Sequence, residues 1–303
     1  MTTQTSVEMK TTKVSWLKIL RESRVAQSLL LVSPSNVYLF IFMALPMILV
    51  AILSFLSRGT YGDVVFKFNL SNYSRLLDPL YGKILVYSLL VGVATTVISI
   101  VIGYPLAYYI ARAPVRQRSL LLFLVLLPFW TNFIIRIYAW IMILRAGGFL
   151  DAVLQWAHVT QQPLKLLYTP TAVMIGMVYE FLPFMILPLY TSLEKIENSV
   201  LEAAADLGAP PYRVFLRVTL PLSIPGMIAG TILVFIPAMG MFVIPDLMGG
   251  AKTILIGNVI RNQFLTARDW PFGAAASMVL MALTMVFTLY YTRKAGFDEE
   301  LLV

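Results

Sequence analysis

The stretch LEKIENSVLEAAADLGAPPYRVFLRVTLPLSIPG, residues Leu193–Gly226, decides the reading of this chain. From Glu194 to Leu207 it is rich in helix formers, and Ile196, Val200, Ala203 or Ala204 and Leu207 recur at three- and four-residue steps. That spacing predicts a helix with those residues on one side. Gly208 is placed to end the helix, and Pro210 and Pro211 enforce the stop. Tyr212 to Leu220 then predicts a second short helix, with Arg213 and Arg217 beside Val214, Phe215 and Val218. The two helices form an amphipathic knob, and the chain on both sides of it is apolar for the roughly 20 residues a helix needs to cross a bilayer.

Working outward, six such runs emerge: Asn36–Leu56, Ile84–Ile110, Leu120–Leu144, Thr171–Leu193, Pro221–Pro245 and Gly273–Thr292. The third and fifth are the least regular, because Pro128 and Pro237 remove helix hydrogen bonds that must be replaced inside protein. Composition agrees with a membrane bundle. Of 303 residues 59% are apolar and 13% charged, against about 25% charged in soluble domains. The expected fold is therefore all-α and integral to the membrane. Six transmembrane helices occupy residues 34–292, the loop 194–220 projects from them, and residues 1–33 and 293–303 form tails.

With six spans both termini share a side. The segments on that side hold thirteen Lys and Arg against nine opposite, which makes the termini and the knob cytoplasmic by the positive-inside rule. Arg112, Arg116 and Arg118, in a short loop without an acid, are the clearest part of this bias. In the N-terminal tail Trp16, Leu17, Ile19 and Leu20 mix with Lys18, Arg21 and Arg24, as in a helix lying in the membrane interface and meeting lipid. The net charge of +8 is distributed in clusters flanking apolar runs; membrane topology accounts for it, and nucleic acid is not an expected partner.

The knob resembles the EAA loop of ABC importer permeases: EAAADLG, nine residues, then VTLP. The matching positions are Glu202, Ala203, Ala204, Gly208, Val218, Leu220 and Pro221, with Val218 standing where the family pattern has Ile. The resemblance implies a type I importer permease whose loop is a coupling helix docked in a cleft of a separate ATPase. It further implies an ABC ATPase dimer that carries ATP and Mg, a second homologous permease, and a periplasmic or extracellular substrate-binding protein. The chain itself would bind no cofactor, and its place would be the bacterial inner membrane. Beyond the loop, LLPFWTNFIIRIYAWIMIL, YTPTAVMIGMVYEFLPFMILPLYTSLEKI, FIPAMGMFVIPDLMGGAKTILIGNVI and RDWPFGAAAS look like segments of spermidine/putrescine permeases. Permeases for other small organic solutes share parts of these segments.

Charges inside spans cost about 2.5–3.5 kcal/mol on insertion scales and so face a cavity or a partner. Glu180, beside Tyr179, suits an ammonium by charge and cation–π attraction, or pairs with an arginine. Arg136 would repel a polyamine, so its expected role is structural, pairing with Glu180 or another acid or meeting lipid phosphate near the external surface; Asn132, Arg136 and Trp140 share one helix face at four-residue steps. Trp130, Tyr138 and Trp140 could stack on a methylene chain or form an interfacial belt. Asp246 and Asp269, near the external ends of spans five and six, could meet an arriving cation or touch the binding protein.

Catalysis and metal binding lack the residues they need. There is no cysteine, the one histidine is His158 in an external loop, and GGAKT at Gly249–Thr253 lacks the Gly-Lys-Ser/Thr core of a phosphate loop. No catalytic or metal-ligating residue is assigned. An intramembrane enzyme would need a nucleophile and base within the spans, and a secondary transporter would be expected to show internal repeats. Neither is visible in the sequence.

Overall fold

The computed structural model describes residues 24–160 and 162–294; the tail segments 1–23 and 295–303, and with them the expected interfacial residues Trp16–Arg21, lie outside the described residues. The chain divides into two compact units, residues 1–52 and 53–303. The first contains α1 (Arg24–Leu39), a π-helical turn at Phe40–Ala44 and most of α2 (Leu45–Ser54). Its membrane-length stretch is Val32–Ser54. Helix is already present from Arg24, so the expected boundary between tail and span at residues 33 and 34 falls inside α1.

In the second unit a short hairpin, β1 (Ser57–Arg58) with β2 (Val64–Val65), and α3 (Ser71–Leu76) lead into α4 (Pro79–Arg112). Then follow α5 (Val115–Leu126), α6 (Phe133–Leu144), α7 (Phe149–Trp156) and α8 (Pro170–Glu194). The knob comprises α9 (Asn198–Asp206), α10 (Pro211–Val214), a π-helical turn at Phe215–Thr219 and α11 (Leu220–Leu222). The chain continues as α12 (Ile224–Gly240), α13 (Ile256–Leu265) and α14 (Trp270–Lys294). Among the described residues five helical stretches are long and apolar enough to cross a membrane, or six when Pro211–Leu222 and Ile224–Gly240, bent by 61°, count as one.

Two expected spans differ from the sequence reading. The third is divided: α5 stops at Leu126, Leu127–Trp130 form a 3-10 turn around Pro128, and α6 starts at Phe133. Asn132 is therefore the N-cap of α6, its side chain accepting from the Ile134 N–H at 2.9 Å, and does not continue a helix face with Arg136 and Trp140. In the fifth, α12 runs through Pro237 and ends at Gly240, short of Pro245. The sharp bend lies at Ser223 instead, where Pro221 and Pro225 both lack the N–H that a continuous helix would use.

The core is built by α4, α8 and α12, which bury Ala107, Ile110, Met185, Leu189, Val234 and Phe235 among others. Small residues allow the backbones to approach. A Cβ on Gly226 of α12 would lie 2.4 Å from the Pro188 carbonyl of α8, so only glycine fits there. Helices α4 and α8 run in the same direction, since Gly103 faces Met185 and Arg112, the last residue of α4, reaches Ile196 just after the end of α8. That end carries the knob.

Candidate functional site

The knob departs from the expected single helix over Glu194–Leu207. Glu194 is the last residue of α8, Lys195–Glu197 form an elbow, and α9 covers only Asn198–Asp206. Exposure also splits the predicted apolar side. Ile196 is buried in the core, whereas Val200 is exposed and Leu207 is 89% exposed at the tip. Leu201 and Phe215 pack against the core in their place. Gly208 ends α9 with φ +79°; its N–H bonds the Ala205 carbonyl at 2.8 Å, and the Ala209 N–H bonds the Ala204 carbonyl at 3.2 Å. These two bonds make a Schellman cap, which requires a left-handed residue at this point. Glu202, Ala203 and Pro221 are exposed, while Ala204, Val218 and Leu220 are half-buried. The structure thus presents a smooth, small-residue helix with an exposed apolar tip at Leu207, and Tyr212 and Leu216 of the following arm are exposed as well.

Inside the bundle, Arg136 and Glu180 pair at 2.6 Å, and their side chains are 9% and 11% exposed. The same guanidinium donates to the Pro128 carbonyl at 2.5 Å and lies 5.1 Å from the Phe129 ring. Pro128 is in the 3-10 turn that interrupts the third run, and its carbonyl also accepts from the Thr131 N–H at 3.2 Å and the Thr131 hydroxyl at 2.7 Å, so Arg136 adds a charged donor to this turn while Glu180 neutralises its charge. The pairing expected from the sequence is present, and it commits Glu180 Oε1 to an arginine. Tyr179 and Trp140 meet edge-to-face at 5.3 Å. Trp130 is 78% exposed and packs edge-on against Phe123, and Tyr138 is exposed; these two do not join the Trp140–Tyr179 pair in one cluster.

At the opposite end, Asp269 is 2% exposed and pairs with Arg75 at 2.8 Å, with Arg75 lying over Phe272. Burial and this partner remove Asp269 from the acids open to an arriving cation. Asp246 is bonded by Arg261 and by the Asn258 amide, and it retains partial exposure. Asn258, itself buried, also donates to the Phe242 carbonyl at 2.9 Å and accepts from the Leu255 N–H at 3.0 Å. One side chain thereby closes the irregular segment that follows α12.

Sequence reasoning read Arg112 and Arg118 as topology signals and missed their contacts. Arg112 Nη1 donates to the Asn198 side-chain oxygen at 2.8 Å and to the Ile196 carbonyl at 3.2 Å. Arg118 pairs with Glu194 at 2.6 Å and donates to the Ala111 carbonyl at 2.9 Å. The signal available was the four-residue step Tyr104, Tyr108, Arg112, which places three large side chains on one face of the second span.

Comparison with known proteins agrees with this architecture. The family described as "Binding-protein-dependent transport system inner membrane component" matches residues 99–294. The chain is 48% identical over 256 residues, 84% of its length and 93% of the relative's, to the "Spermidine/putrescine transport system permease protein PotB" of Escherichia coli (strain K12). It is 47% identical over 85% of its length and 91% of the relative's to the protein of the same name from Haemophilus influenzae. Its fold matches a chain in the crystal structure of a bacterial alginate ABC transporter in complex with alginate pentasaccharide-bound periplasmic protein, with TM-score 0.71, 16% identity and coverage of 93% and 97% of the two chains. On the extent of these matches the chain belongs to the binding-protein-dependent transport system inner membrane component family, as a non-catalytic, multi-pass permease subunit of an ABC importer in the inner membrane.

Proposed function

We propose that this chain forms part of the pathway by which a bacterial importer takes up spermidine and putrescine. The observation that carries the substrate class is the near-half identity, over 84% of the chain, to permeases that bear those names. In this reading the knob end faces the cytoplasm, as do both termini, and α9 docks in an ABC ATPase dimer that binds ATP and Mg. A homologous second permease completes the path, and a substrate-binding protein delivers the amine at the opposite end. Glu202, Ala203, Ala204 and Gly208 form the docking helix and its cap, and Val218, Leu220 and Pro221 form the turn that returns the chain to the bilayer. The exposed apolar tip at Leu207 supports this role, because an apolar side chain held in water gains by burial against a partner.

Tyr179, Trp140 and Glu180 are the residues we assign to the substrate path, with Trp130 and Tyr138 earlier on the third run and Asp246 toward the outer end. The edge-to-face aromatic pair beside a carboxylate supports cation–π contact with an ammonium group. Because Arg136 and Arg261 hold Glu180 and Asp246, a polycation meets these carboxylates by competing with an arginine.

The test is uptake of labelled spermidine, with putrescine as competitor, in cells lacking other polyamine importers. Loss of uptake on deleting the gene and on Glu202→Lys is expected. Uptake that survives the deletion would overturn the substrate assignment, and normal uptake by Glu202→Lys would overturn the docking role of α9.

A further inference from the structure

A face of the second span runs beneath both arms of the knob. Tyr104, Tyr108 and Arg112 stand at four-residue steps on α4, so their side chains form one column. Tyr104, which is buried, shares a hydrogen bond of 2.9 Å with the Ser223 hydroxyl at the bend before α12, and its ring meets Phe215 edge-on at 5.6 Å. Tyr108 meets the same Phe215 at 6.2 Å, and the Arg112 guanidinium lies 5.8 Å from the Tyr108 ring. Arg112 then reaches the elbow on the other arm through Ile196 and Asn198. The Ile196 carbonyl lies in the elbow, just beyond the last residues of α8, where intrahelical donors have run out; the donor it finds comes from another span. Arg118 adds a parallel tie, joining Glu194 to the carbonyl of Ala111 at the end of α4.

We propose that the Tyr104–Tyr108–Arg112 face receives the movement of the knob and passes it to the second span, with these three as positioning residues for energy coupling. The inference rests on the reading of α9 as the ATPase-docking helix. Displacing α9 strains the elbow, and displacing α10 strains the bend at Ser223. Both arms bear on one continuous helix of 34 residues, with Pro105 lying inside the column. The second, fourth and fifth spans therefore move as a set, where a knob hinged freely at residues 195–197 would move alone.

The experiment uses the whole importer, with its partner permease, ATPase and binding protein, reconstituted in proteoliposomes in which the unaltered complex accumulates labelled spermidine. ATP hydrolysis and uptake are measured together for Arg112→Ala, Arg112→Lys, Tyr104→Phe and Asn198→Ala. Tyr104→Phe keeps the ring and removes only the bond to Ser223, and Asn198 is exposed, so these variants probe the contacts without emptying the core. ATP consumed per spermidine should rise at least about fivefold in Arg112→Ala, the lower end of ordinary coupling energies. A smaller rise is expected in the two milder variants and partial return in Arg112→Lys. An unchanged ratio in all of Arg112→Ala, Tyr104→Phe and Asn198→Ala, at whatever yield, would overturn the proposal, because a structural role lowers the amount of complex without altering its stoichiometry. Glu202→Lys in the same preparation separates the two readings. If it releases the ATPase while the ratio stays fixed in the column variants, only the receiving face is wrong; if the ATPase stays bound and active, the docking reading itself fails.

Discussion

At Gly208 the backbone holds φ +79°, a conformation that costs residues with a β-carbon about 1–2 kcal/mol. Gly208→Ala should therefore loosen the end of α9 and reduce ATP-driven uptake, whereas Gly208→Asn should do less harm, since asparagine tolerates this region. Transport assays on membranes with matched protein levels check the order. Arg136 and Glu180 set a different test. Removing one member of a buried pair leaves an uncompensated charge, worth about 3–5 kcal/mol. Arg136→Met should lower the thermal stability of the purified complex more than Glu180→Gln, because Arg136 also donates to the Pro128 carbonyl and lies against the Phe129 ring, contacts that Glu180→Gln leaves in place. If Glu180→Gln weakens apparent affinity for spermidine while stability is unchanged, its carboxylate acts on the substrate and not chiefly on Arg136. The pairing itself was legible in the sequence, since two opposite charges in adjacent spans have few other ways to be accommodated. Burial of Asp269 was not, because its partner Arg75 lies 194 positions away in the chain.

The elements show where sequence periodicity holds and where it fails. The second, fourth and sixth spans were found within a few residues of α4, α8 and α14, because long uninterrupted apolar runs carry their own signal. The third and fifth were misdrawn. Hydropathy is blind to a 3-10 turn whose Pro128 carbonyl is held by Thr131 and by an arginine on the next helix, and it cannot tell whether Pro237 ends a helix or sits inside it. The knob illustrates a second limit. Three- and four-residue spacing put Val200 and Leu207 on one side with Ile196, but the elbow at 195–197 breaks that helix, and Ile196 is buried while Val200 and Leu207 are exposed. This exposure yields a prediction for the element: Leu207→Asp should reduce recovery of the ATPase with the purified permease roughly tenfold or more, equivalent to about 1.4 kcal/mol of docking energy. The fold of the variant should be unaffected, since the side chain makes no core contact; circular dichroism and yield check that.

For the whole molecule, the orientation proposed from the charge bias can be tested directly, because the chain contains no cysteine to confuse labelling. A single cysteine at Ala205, on the knob, should react with a membrane-impermeant maleimide only after spheroplasts are opened. One at Tyr61, 94% exposed between the two strands of the hairpin, should react in intact spheroplasts. The reverse pattern would invert the topology and with it the direction in which the ATPase and binding protein approach. The knob's two ends also differ in what they inherit from the rest of the chain. The cap at Gly208 is closed by hydrogen bonds that begin and end within residues 203–209, so the tip is self-contained, while the elbow is held by Arg112 of α4 and the Glu194 before it by Arg118 of α5. In grafts between related permeases the tip would therefore be portable, carrying its docking angle with it, and the elbow would be compatible only with the second span it evolved beside.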